Sequence, residues 1–298
     1  MTRKMLVNCL CIFPILLLSF VADAQQTGTP ENWKPVETAL GRTGKPQPDG
    51  SFKFGMPRKD LKVSLNGVTI KPGLALGSWV AFKTTDTGSV VMGDLVLTQP
   101  EVPAVMAKLQ AGGIEITALH NHLLNETPHV MYMHIQGSGQ PEKLAKTLHD
   151  ALAVTGTPAE SPAGAAQKAD LDTAKIDEAL GRKGKDNNGI YQVSAPRAEK
   201  ITDEGTEIPP SMGVATSFNF QPLGQGRAAI TGDFVLIGKE VNPVIAALRE
   251  HNIKVTALHG HMLMEAPRLF FMHFWATGDA AELAKGLRAA LDKTNSKP

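Results

Sequence analysis

Histidine and glutamate recur at fixed spacing in two segments of the sequence. Residues 117–134 read TALHNHLLNETPHVMYMH and residues 256–273 read TALHGHMLMEAPRLFFMH, with 10 of 18 positions identical. Each block holds H-x-H, a glutamate four residues later and a third histidine eight residues beyond the glutamate. Imidazole and carboxylate groups bind divalent metals and transfer protons near neutral pH. The repeated block therefore predicts a pair of sites for such chemistry, and it identifies no substrate.

The spacing of the histidines suits a β-hairpin. Side chains alternate faces along a strand, so the two histidines of H-x-H point the same way, and pairing across the turn brings the third to that face. The predicted metal ligands are His120, His122, His134, His259, His261 and His273. Such a set suits a divalent transition metal, namely Zn, Cu, Mn, Fe or Ni, and ligand type alone does not choose among them.

A glutamate near each predicted turn has three alternative roles. Glu126 and Glu265 could complete the ligand set, orient a ligand histidine, or act as general base towards a metal-bound water. The third role makes them candidate catalytic residues. The sequence does not decide whether the protein is an enzyme.

Two other interpretations of the block compete with metal binding. Paired histidines in a strand are commonly half-buried rings that make ordinary hydrogen bonds, and a packed hairpin would by itself explain Pro128 and Pro267. H-x-H-x3-E is also the core of the first cupin motif. A cupin would need eight or more strands per unit and no helix between Pro100 and Gly112.

Further charged residues recur between the two halves. Asp94 and Asp233 each follow a glycine at the head of a predicted strand, where a capping or turn role is favoured over a catalytic one. The recurring arginines are predicted to make ion pairs or lie at the surface rather than bind an anion; they are Arg42, Arg58, Arg182 and Arg197.

The N-terminal sequence is typical of a secretory signal. Basic residues at positions 3 and 4 precede an apolar stretch from Met5 to Phe20, and Ala22-Asp23-Ala24 resembles a cleavage site. We expect residues 1–24 to be removed and the protein to be periplasmic or secreted. The apolar stretch is shorter than a spanning helix requires, so no transmembrane segment is predicted after cleavage.

Removal of the signal changes the composition of the chain. Both cysteines, Cys9 and Cys11, lie within it, so disulfides and thiolate metal sites are excluded from the mature protein. Of 30 basic and 29 acidic residues, 28 of each remain. A net charge near zero and few aromatic residues argue against a nucleic-acid partner.

The internal repeat divides the chain. Ala39-Leu40-Gly41-Arg42 matches residues 179–182, and Gly93-Asp94 matches residues 232–233. We predict a loose leader over residues 25–33, repeat 1 over 34–154, a linker rich in small residues and proline over 155–168, and repeat 2 over 169–298.

The second half of each repeat predicts a β-α-β-β-α order. Leu95-Val96-Leu97 indicates a strand, and Val102, Val105, Met106 and Leu109 have helical spacing. Strands are predicted over 114–122 and 130–136, followed by a helix carrying Leu144, Leu148 and Leu152. The predicted fold class is α+β: two tandem repeats, each an antiparallel sheet with helices on one face and a ferredoxin-like core, with a pseudo-twofold arrangement as one option. Residues 34–90 predict a short helix and several strands.

The ALHNHLLNE and ALHGHMLME blocks, the ALGRxGK openings and the Gly-Asp strand before a helix resemble the LppY/LpqO family, first defined on mycobacterial envelope lipoproteins. The resemblance covers nearly all of the mature chain as two domain copies. It implies secretion to the cell envelope and carries over no catalytic residue. Cys9 and Cys11 lie too early in the apolar stretch for lipid attachment, so membrane tethering is not expected.

Three functions from different classes remain open on the sequence alone. The first, which the ligand set favours, is a metal-binding envelope protein for storage, delivery or sensing. The second is a metal-dependent hydrolase or oxygenase, which needs an open coordination position and a substrate cavity. The third is a module that binds an envelope polymer or a protein partner, in which the histidines are structural. The two hairpin faces could also pack together into one joint site of six histidines.

Overall fold

The computed structural model describes residues 32–159 and 167–297. The predicted signal, most of the predicted leader and the centre of the predicted linker lie outside these residues. Repeat 1 contains, in chain order, α1 (Lys34–Leu40), β1 (Lys45–Pro46), β2 (Phe52–Pro57), β3 (Ser64–Leu65), β4 (Val68–Thr69), α2 (Pro72–Ala75), β5 (Gly77–Thr85), β6 (Gly88–Thr98), α3 (Val102–Ala111), β7 (Glu115–His120), β8 (Val130–Gly139) and α4 (Pro141–Leu152).

Repeat 2 follows nearly the same order. It contains α5 (Thr173–Leu180), β9 (Lys185–Asn187), β10 (Ile190–Pro196), β11 (Thr202–Asp203), β12 (Thr206–Glu207), β13 (Ala215–Gly224), β14 (Arg227–Ile237), α6 (Gly238–Glu250), β15 (Lys254–His259), β16 (Glu265–Ala266), β17 (Leu269–Asp279) and α7 (Ala280–Leu291). The β-α-β-β-α order predicted for each repeat is confirmed by β6-α3-β7-β8-α4 and its copy. The first hairpin strand ends at His120, so the prediction of strand as far as His122 was two residues too long.

The shared Ala-Leu-Gly-Arg sequence marks a helix end in both repeats. Helices α1 and α5 stop at Gly41 and Gly181, which adopt left-handed conformations with φ of 72° and 67°. A side chain at either position would be strained there, because only glycine enters this region without steric cost. The identity between the repeats at this point therefore reflects backbone geometry.

Each repeat forms one six-stranded antiparallel sheet. The strand order is β1-β2-β5-β6-β8-β7 in repeat 1 and β9-β10-β13-β14-β17-β15 in repeat 2. The last hairpin strand, β8, lies between β6 and β7, which are joined through α3. This arrangement places the histidine-bearing hairpin at one edge of each sheet.

Helices cover one face of each sheet. In repeat 1, Leu109 and Leu148 from the helices pack against Leu95, Met133 and Ile135 from the strands. Because side chains alternate along a strand, the even-numbered residues of β6 and β8 face away from the helices. These include Asp94 and His134.

The helix-free faces of the two sheets pack against each other. Tyr132 of repeat 1 shares a hydrophobic cluster with Trp275 of repeat 2, and Met92 of repeat 1 shares another with Phe271 of repeat 2. As a result, Trp33–Pro298 forms a single compact unit. The histidine hairpins of both repeats lie at the boundary between the sheets.

The cupin alternative does not agree with this architecture. Residues 102–111 form α3, where a cupin would have no helix, and each repeat has one main sheet with helices on it rather than a double-sheet barrel.

Candidate metal centre

Six histidine rings from the two hairpins meet in one cluster. They stack in three pairs, each with one ring from either repeat: His120 on His259, His122 on His273, and His134 on His261. The centroid separations are 3.5, 3.7 and 3.6 Å, respectively. Exchanging the repeats converts the second pair into the third, so the cluster has pseudo-twofold symmetry. The joint site left open by the sequence is the arrangement found.

Strand register explains how each repeat presents its rings. In repeat 1, His134 lies between Asp94 on β6 and Ala118 on β7, and His120 pairs with Tyr132 two residues along. These residues share the inner face of the sheet, as the sequence predicted for His120 and His134. His122 lies just beyond β7 and joins the cluster by stacking on the Tyr132 ring at 3.4 Å.

The same register holds the rings of repeat 2. His273 lies between Asp233 on β14 and Ala257 on β15, and His259 pairs with Phe271. The His261 ring stacks on Phe271 with centroids 3.3 Å apart. An aromatic side chain therefore supports the outlying histidine in both repeats.

A β-bulge in each hairpin connects the two repeats. The ladder shifts around Thr117 in repeat 1 and around Thr256 in repeat 2. The Thr117 hydroxyl donates to the His261 carbonyl at 2.6 Å, and the Thr256 hydroxyl donates to the His122 carbonyl at 2.5 Å. An extra residue in a strand re-aims a side chain in this way. Each threonine thus holds the histidine loop of the opposite repeat.

Backbone carbonyls fix the tautomer of four rings. In each ring Nδ1 lies close to a backbone carbonyl oxygen. For His120 this is the oxygen of Asn121 at 3.1 Å, and for His259 that of Gly260 at 3.0 Å. For His261 it is the oxygen of Gly213 at 3.3 Å, and for His273 that of Gly232 at 2.8 Å. A carbonyl oxygen only accepts, so Nδ1 must carry the proton. Nε2 of each neutral ring is then left with its lone pair, the form that binds a metal.

All six Nε2 atoms are buried and have no hydrogen-bond partner. The same is true of Oδ1 of Asp94 and Oδ1 of Asp233. Leaving a buried polar atom unpaired costs about 1–3 kcal/mol, so eight of them close together are a large unsatisfied demand. The cluster therefore holds eight buried polar atoms whose hydrogen-bonding capacity the described residues do not use.

Burial controls the charge of these side chains. It lowers the pKa of His120 to about 3 and that of His259 to about 4. Burial likewise holds the pKa values of His122, His134, His261 and His273 well below 6.5. Burial also raises the pKa of Asp94 to about 7 and that of Asp233 well above 3.8. Near neutral pH the imidazoles are consequently uncharged and able to donate electron pairs.

The distances allow several sets of three ligands. Within each set the ligand atoms lie within 4.8 Å of one another. The sets are His120, His134 and His259; His120, His122 and His273; His259, His261 and His273; and Asp94, His122 and His134. Every predicted histidine ligand belongs to at least one set, and Asp94 joins them.

The two glutamates contact the hairpin turns instead. Glu126 accepts from the backbone N–H of Val130 at 3.3 Å and lies 2.7 Å from Nδ1 of His129. Glu265 accepts from Leu269 N–H at 3.0 Å and from Arg268 at 3.2 Å. Neither is in any of the four sets. These contacts explain why the glutamate recurs without placing it against a metal-bound water.

The sequence favoured a capping or turn role for the aspartates, and it did not single out the threonines. Asp94 was expected at the head of a strand, but β6 begins at Gly88 and places Asp94 mid-strand, facing the histidines. Recurrence in the sequence could have pointed to both residue types, because Gly-Asp recurs at 93–94 and 232–233 and T-A-L-H begins both blocks. The strand length that gives these residues their orientation was not visible in the local pattern.

Two arginines predicted to make ion pairs do so. Arg58 binds Glu101 at 2.8 Å and Asp60 at 2.8 Å. Arg197 binds Glu240 at 2.6 Å and Glu199 at 2.9 Å. Each guanidinium also donates to a backbone carbonyl, that of Val96 or Val235.

Two cavities among the described residues lie away from the six clustered histidines. One of about 270 Å³ is lined by residues that include His251 and Glu282, and one of about 370 Å³ by residues that include Arg182 and Arg288. Within the part of the chain that the structure describes, no helix combines the length and apolar character that crossing a membrane requires.

Comparison with solved structures finds microcompartment shell proteins at low similarity. The trimeric bacterial microcompartment shell protein PduB is 12% identical, with 84% of this chain and 89% of that chain covered and a TM-score of 0.22. EtuB from Clostridium kluyveri is 9% identical, with 84% and 88% covered and a TM-score of 0.20. The double-ringed trimeric shell protein MSM0271 is 12% identical, with 68% and 81% covered and a TM-score of 0.19. At these TM-scores the likeness supports no inference.

Comparison with curated proteins finds no match. The profile of one protein family matches twice, over residues 34–154 and 174–293. The first match has the limits predicted for repeat 1, and the second lies within the predicted repeat 2. With two copies covering most of its length, the chain belongs to the family described as Domain of Unknown Function (DUF1259).

Proposed function

We propose that this protein binds a divalent transition metal through the six-histidine cluster, and that it acts in metal storage, delivery or sensing. The proposal rests on one observation above all: six buried Nε2 atoms without partners converge on the same small volume. A structural histidine network would use these atoms in hydrogen bonds. A metal ion would satisfy several at once.

The donor set limits the choice of ion. Neutral imidazole with a few carboxylates suits Zn, Cu, Mn, Fe and Ni, whereas Ca and Mg prefer shells made of oxygen. No thiolate competes, because the two cysteines lie in the predicted signal sequence. Within the transition series the observed ligand types fit more than one ion, so metal identity must be measured.

A binding role is better supported than an enzymatic one. A hydrolase or oxygenase needs a substrate cavity beside the metal, and neither of the two cavities described above is lined by a cluster histidine. Glu126 and Glu265, for which a general-base role was one of three alternatives, contact the turn backbone. A storage, delivery or sensing role requires only that an ion reach the ligands. His120 and His259 are half-buried residues, and we place the entry of the ion beside them.

The proposal also includes export from the cytoplasm and membership of the LppY/LpqO family. The signal-like residues 1–24 support export, and the repeated motifs support membership of the LppY/LpqO family of envelope proteins. We further propose that each repeat has a ferredoxin-like core. This core is supported by the position of β8 between β6 and β7, with α3 and α4 on one face, which is the order of a split β-α-β unit.

The metal content of the mature protein tests the proposal. Untagged protein is purified from its own periplasm and examined by plasma mass spectrometry. The double variant His120→Ala, His259→Ala and the control His251→Ala, which changes an exposed histidine outside the cluster, are purified in parallel. We expect near-stoichiometric metal in the wild type and the control, and its loss from the double variant. Absence of metal from all three, with the double variant merely less stable, would overturn the proposal.

A further inference from the structure

We propose that Asp94 and Asp233 are metal ligands and that the cluster is a two-metal centre, with one carboxylate directed to each ion. The inference rests on the proposed function and extends it, because the histidine pattern alone predicts neither the aspartates nor the number of ions.

The geometry in repeat 1 is that of a ligand set. Oδ2 of Asp94 lies 3.6 Å from Nε2 of His122 and 4.0 Å from Nε2 of His134. Two ligand atoms about 2.1 Å from a zinc-sized ion are roughly 3 to 4 Å apart. These separations are too long for hydrogen bonds and suit an ion between the side chains.

Repeat 2 presents the equivalent aspartate. Oδ2 of Asp233 lies 3.5 Å from Nε2 of His261. Asp233 also pairs across the strands with His273, as Asp94 pairs with His134. The two aspartates therefore occupy matching positions relative to their own histidines.

The number of ions follows from the grouping of the ligands. One set, Asp94 with His122 and His134, comes entirely from repeat 1, and another, His259 with His261 and His273, comes entirely from repeat 2. These sets share no residue. Six imidazoles and two carboxylates also exceed the four to six donors that one transition-metal ion takes. Two ions, one in each set, would use six of these eight donors, and Asp233, whose Oδ2 lies 3.5 Å from Nε2 of His261, would add a carboxylate to the second set.

The surroundings of the aspartates argue against a purely structural role. Asp94 is buried and Asp233 is half-buried, and Oδ1 of each is inaccessible to solvent and lacks a partner. Lys53 is the cation whose charge lowers the pKa of Asp94. The Lys53 ammonium group nevertheless makes its contacts elsewhere, because it donates to the Ser211 carbonyl at 2.8 Å and lies over the Trp79 ring. An isolated buried carboxylate is unfavourable unless a cation compensates for it, and a bound metal would do so.

Titration of the metal-free mature protein with Co²⁺ tests the inference, with visible absorption reporting coordination and calorimetry reporting stoichiometry. We expect two equivalents in the wild type. In Asp94→Asn and in Asp233→Asn, one equivalent should bind as before and the other should weaken by more than about tenfold. Asp203→Asn is the matched control, because Asp203 is also buried with an unpartnered Oδ1, but its other carboxylate oxygen accepts from the Gln136 amide and it forms no pair with a cluster histidine. It should retain both equivalents.

The outcomes separate this inference from the proposed function. A single Co²⁺ equivalent in the wild type would overturn the two-metal centre even if an aspartate variant failed to fold. Two equivalents unaffected by either substitution would remove the aspartates from the ligand set. In both cases the six-histidine metal site would stand. No binding by the folded wild-type protein to Co²⁺ or Zn²⁺ would instead defeat the proposed function itself.

Discussion

Two kinds of buried polar cluster recur in both repeats of this protein, and they differ in how completely their atoms are paired. The arginine clusters, defined as Arg58 with Asp60 and Glu101 and Arg197 with Glu199 and Glu240, fill their hydrogen bonds from within the chain. The six-histidine cluster leaves every Nε2 without a partner. Both are duplicated, so recurrence alone does not distinguish a structural element from a ligand site.

The arginine clusters fix local architecture. In repeat 2, Arg197 donates to the Val235 carbonyl at the end of β14. It also binds Glu240, which in turn accepts from Ile237 N–H at the start of α6 and from Asn295 N–H after α7. One ion pair thus ties a strand end, a helix start and the chain after the last helix. The difference between the clusters shows that hydrogen-bond completeness is the better guide to function.

The largest expected effect is the acid sensitivity of the metal-free protein. The six histidines have pKa values lowered by burial from about 6.5, so the unfolded chain binds more protons than the folded one as pH falls below about 6.5. Asp94 and Asp233, whose pKa values burial raises, oppose this, but six groups outweigh two. Each net proton contributes about 1.4 kcal/mol per pH unit, so stability should fall by several kcal/mol between pH 7 and 5.

Urea denaturation of the metal-free protein across this pH range measures the effect. His120→Ala, His259→Ala serves as comparison and should show a shallower dependence, because two of the titrating groups are gone. A free energy of unfolding that stays constant from pH 7 to 5 would mean that the rings are not held neutral by burial.

The second effect is the removal of an arginine. Arg197→Met leaves Glu240 buried without its partner, which should lower the free energy of unfolding by about 3–5 kcal/mol. The exposed Arg249→Met is the control and should change it by less than about 0.5 kcal/mol. Chemical denaturation gives both values. Metal content of the folded Arg197→Met protein should match the wild type, and a selective loss of metal would break the distinction between the two clusters.

A smaller effect is expected at the bulge that joins the repeats. Thr256→Val removes the hydroxyl that donates to the His122 carbonyl and should cost about 1 kcal/mol of stability. Metal affinity should fall about tenfold, because the His122 loop is less well held. Thr256→Ser keeps the hydroxyl and should restore the affinity in a competition assay with a chelator. Equal behaviour of the two variants would remove the positioning role of this hydrogen bond.

The smallest change in stability is predicted for a substitution of a proposed metal ligand. His122→Leu replaces a ring whose Nε2 lacks a partner, so the free energy of unfolding of the metal-free protein should stay within about 1 kcal/mol of the wild type. Zn²⁺ affinity should nevertheless fall by more than about tenfold. Denaturation without metal and chelator competition with metal provide the two readings. A loss of stability as large as that of Arg197→Met would show that the histidines are structural after all.

Local pattern predicted much of each repeat. Helical spacing from Val102 to Leu109 identified α3, and the two-residue alternation around His120 placed it and His134 on one face. Periodicity reports which side of an element is apolar, so it succeeds where one face of a strand or helix packs on its own repeat.

The features that sequence did not determine depend on contacts between the repeats. The stacking of His134 on His261 requires two helix-free sheet faces to pack together, which no pattern within one repeat specifies. The contacts of the glutamates were not determined by the sequence either. The spacing suited a ligand, but Oε1 of Glu126 accepts from the Val130 N–H four residues later. Competition between a backbone donor and a metal for the same carboxylate is decided only in three dimensions.

The three cross-repeat ring pairs have a consequence for assembly. Each pair takes one imidazole from either half, so a chain with only one repeat would have to associate with a second copy of itself to build the same centre. Joining two repeats in one polypeptide makes that encounter intramolecular, so the centre forms at any protein dilution. It also frees the two halves to diverge, as His129 and Arg268, which pair with Glu126 and Glu265, already have.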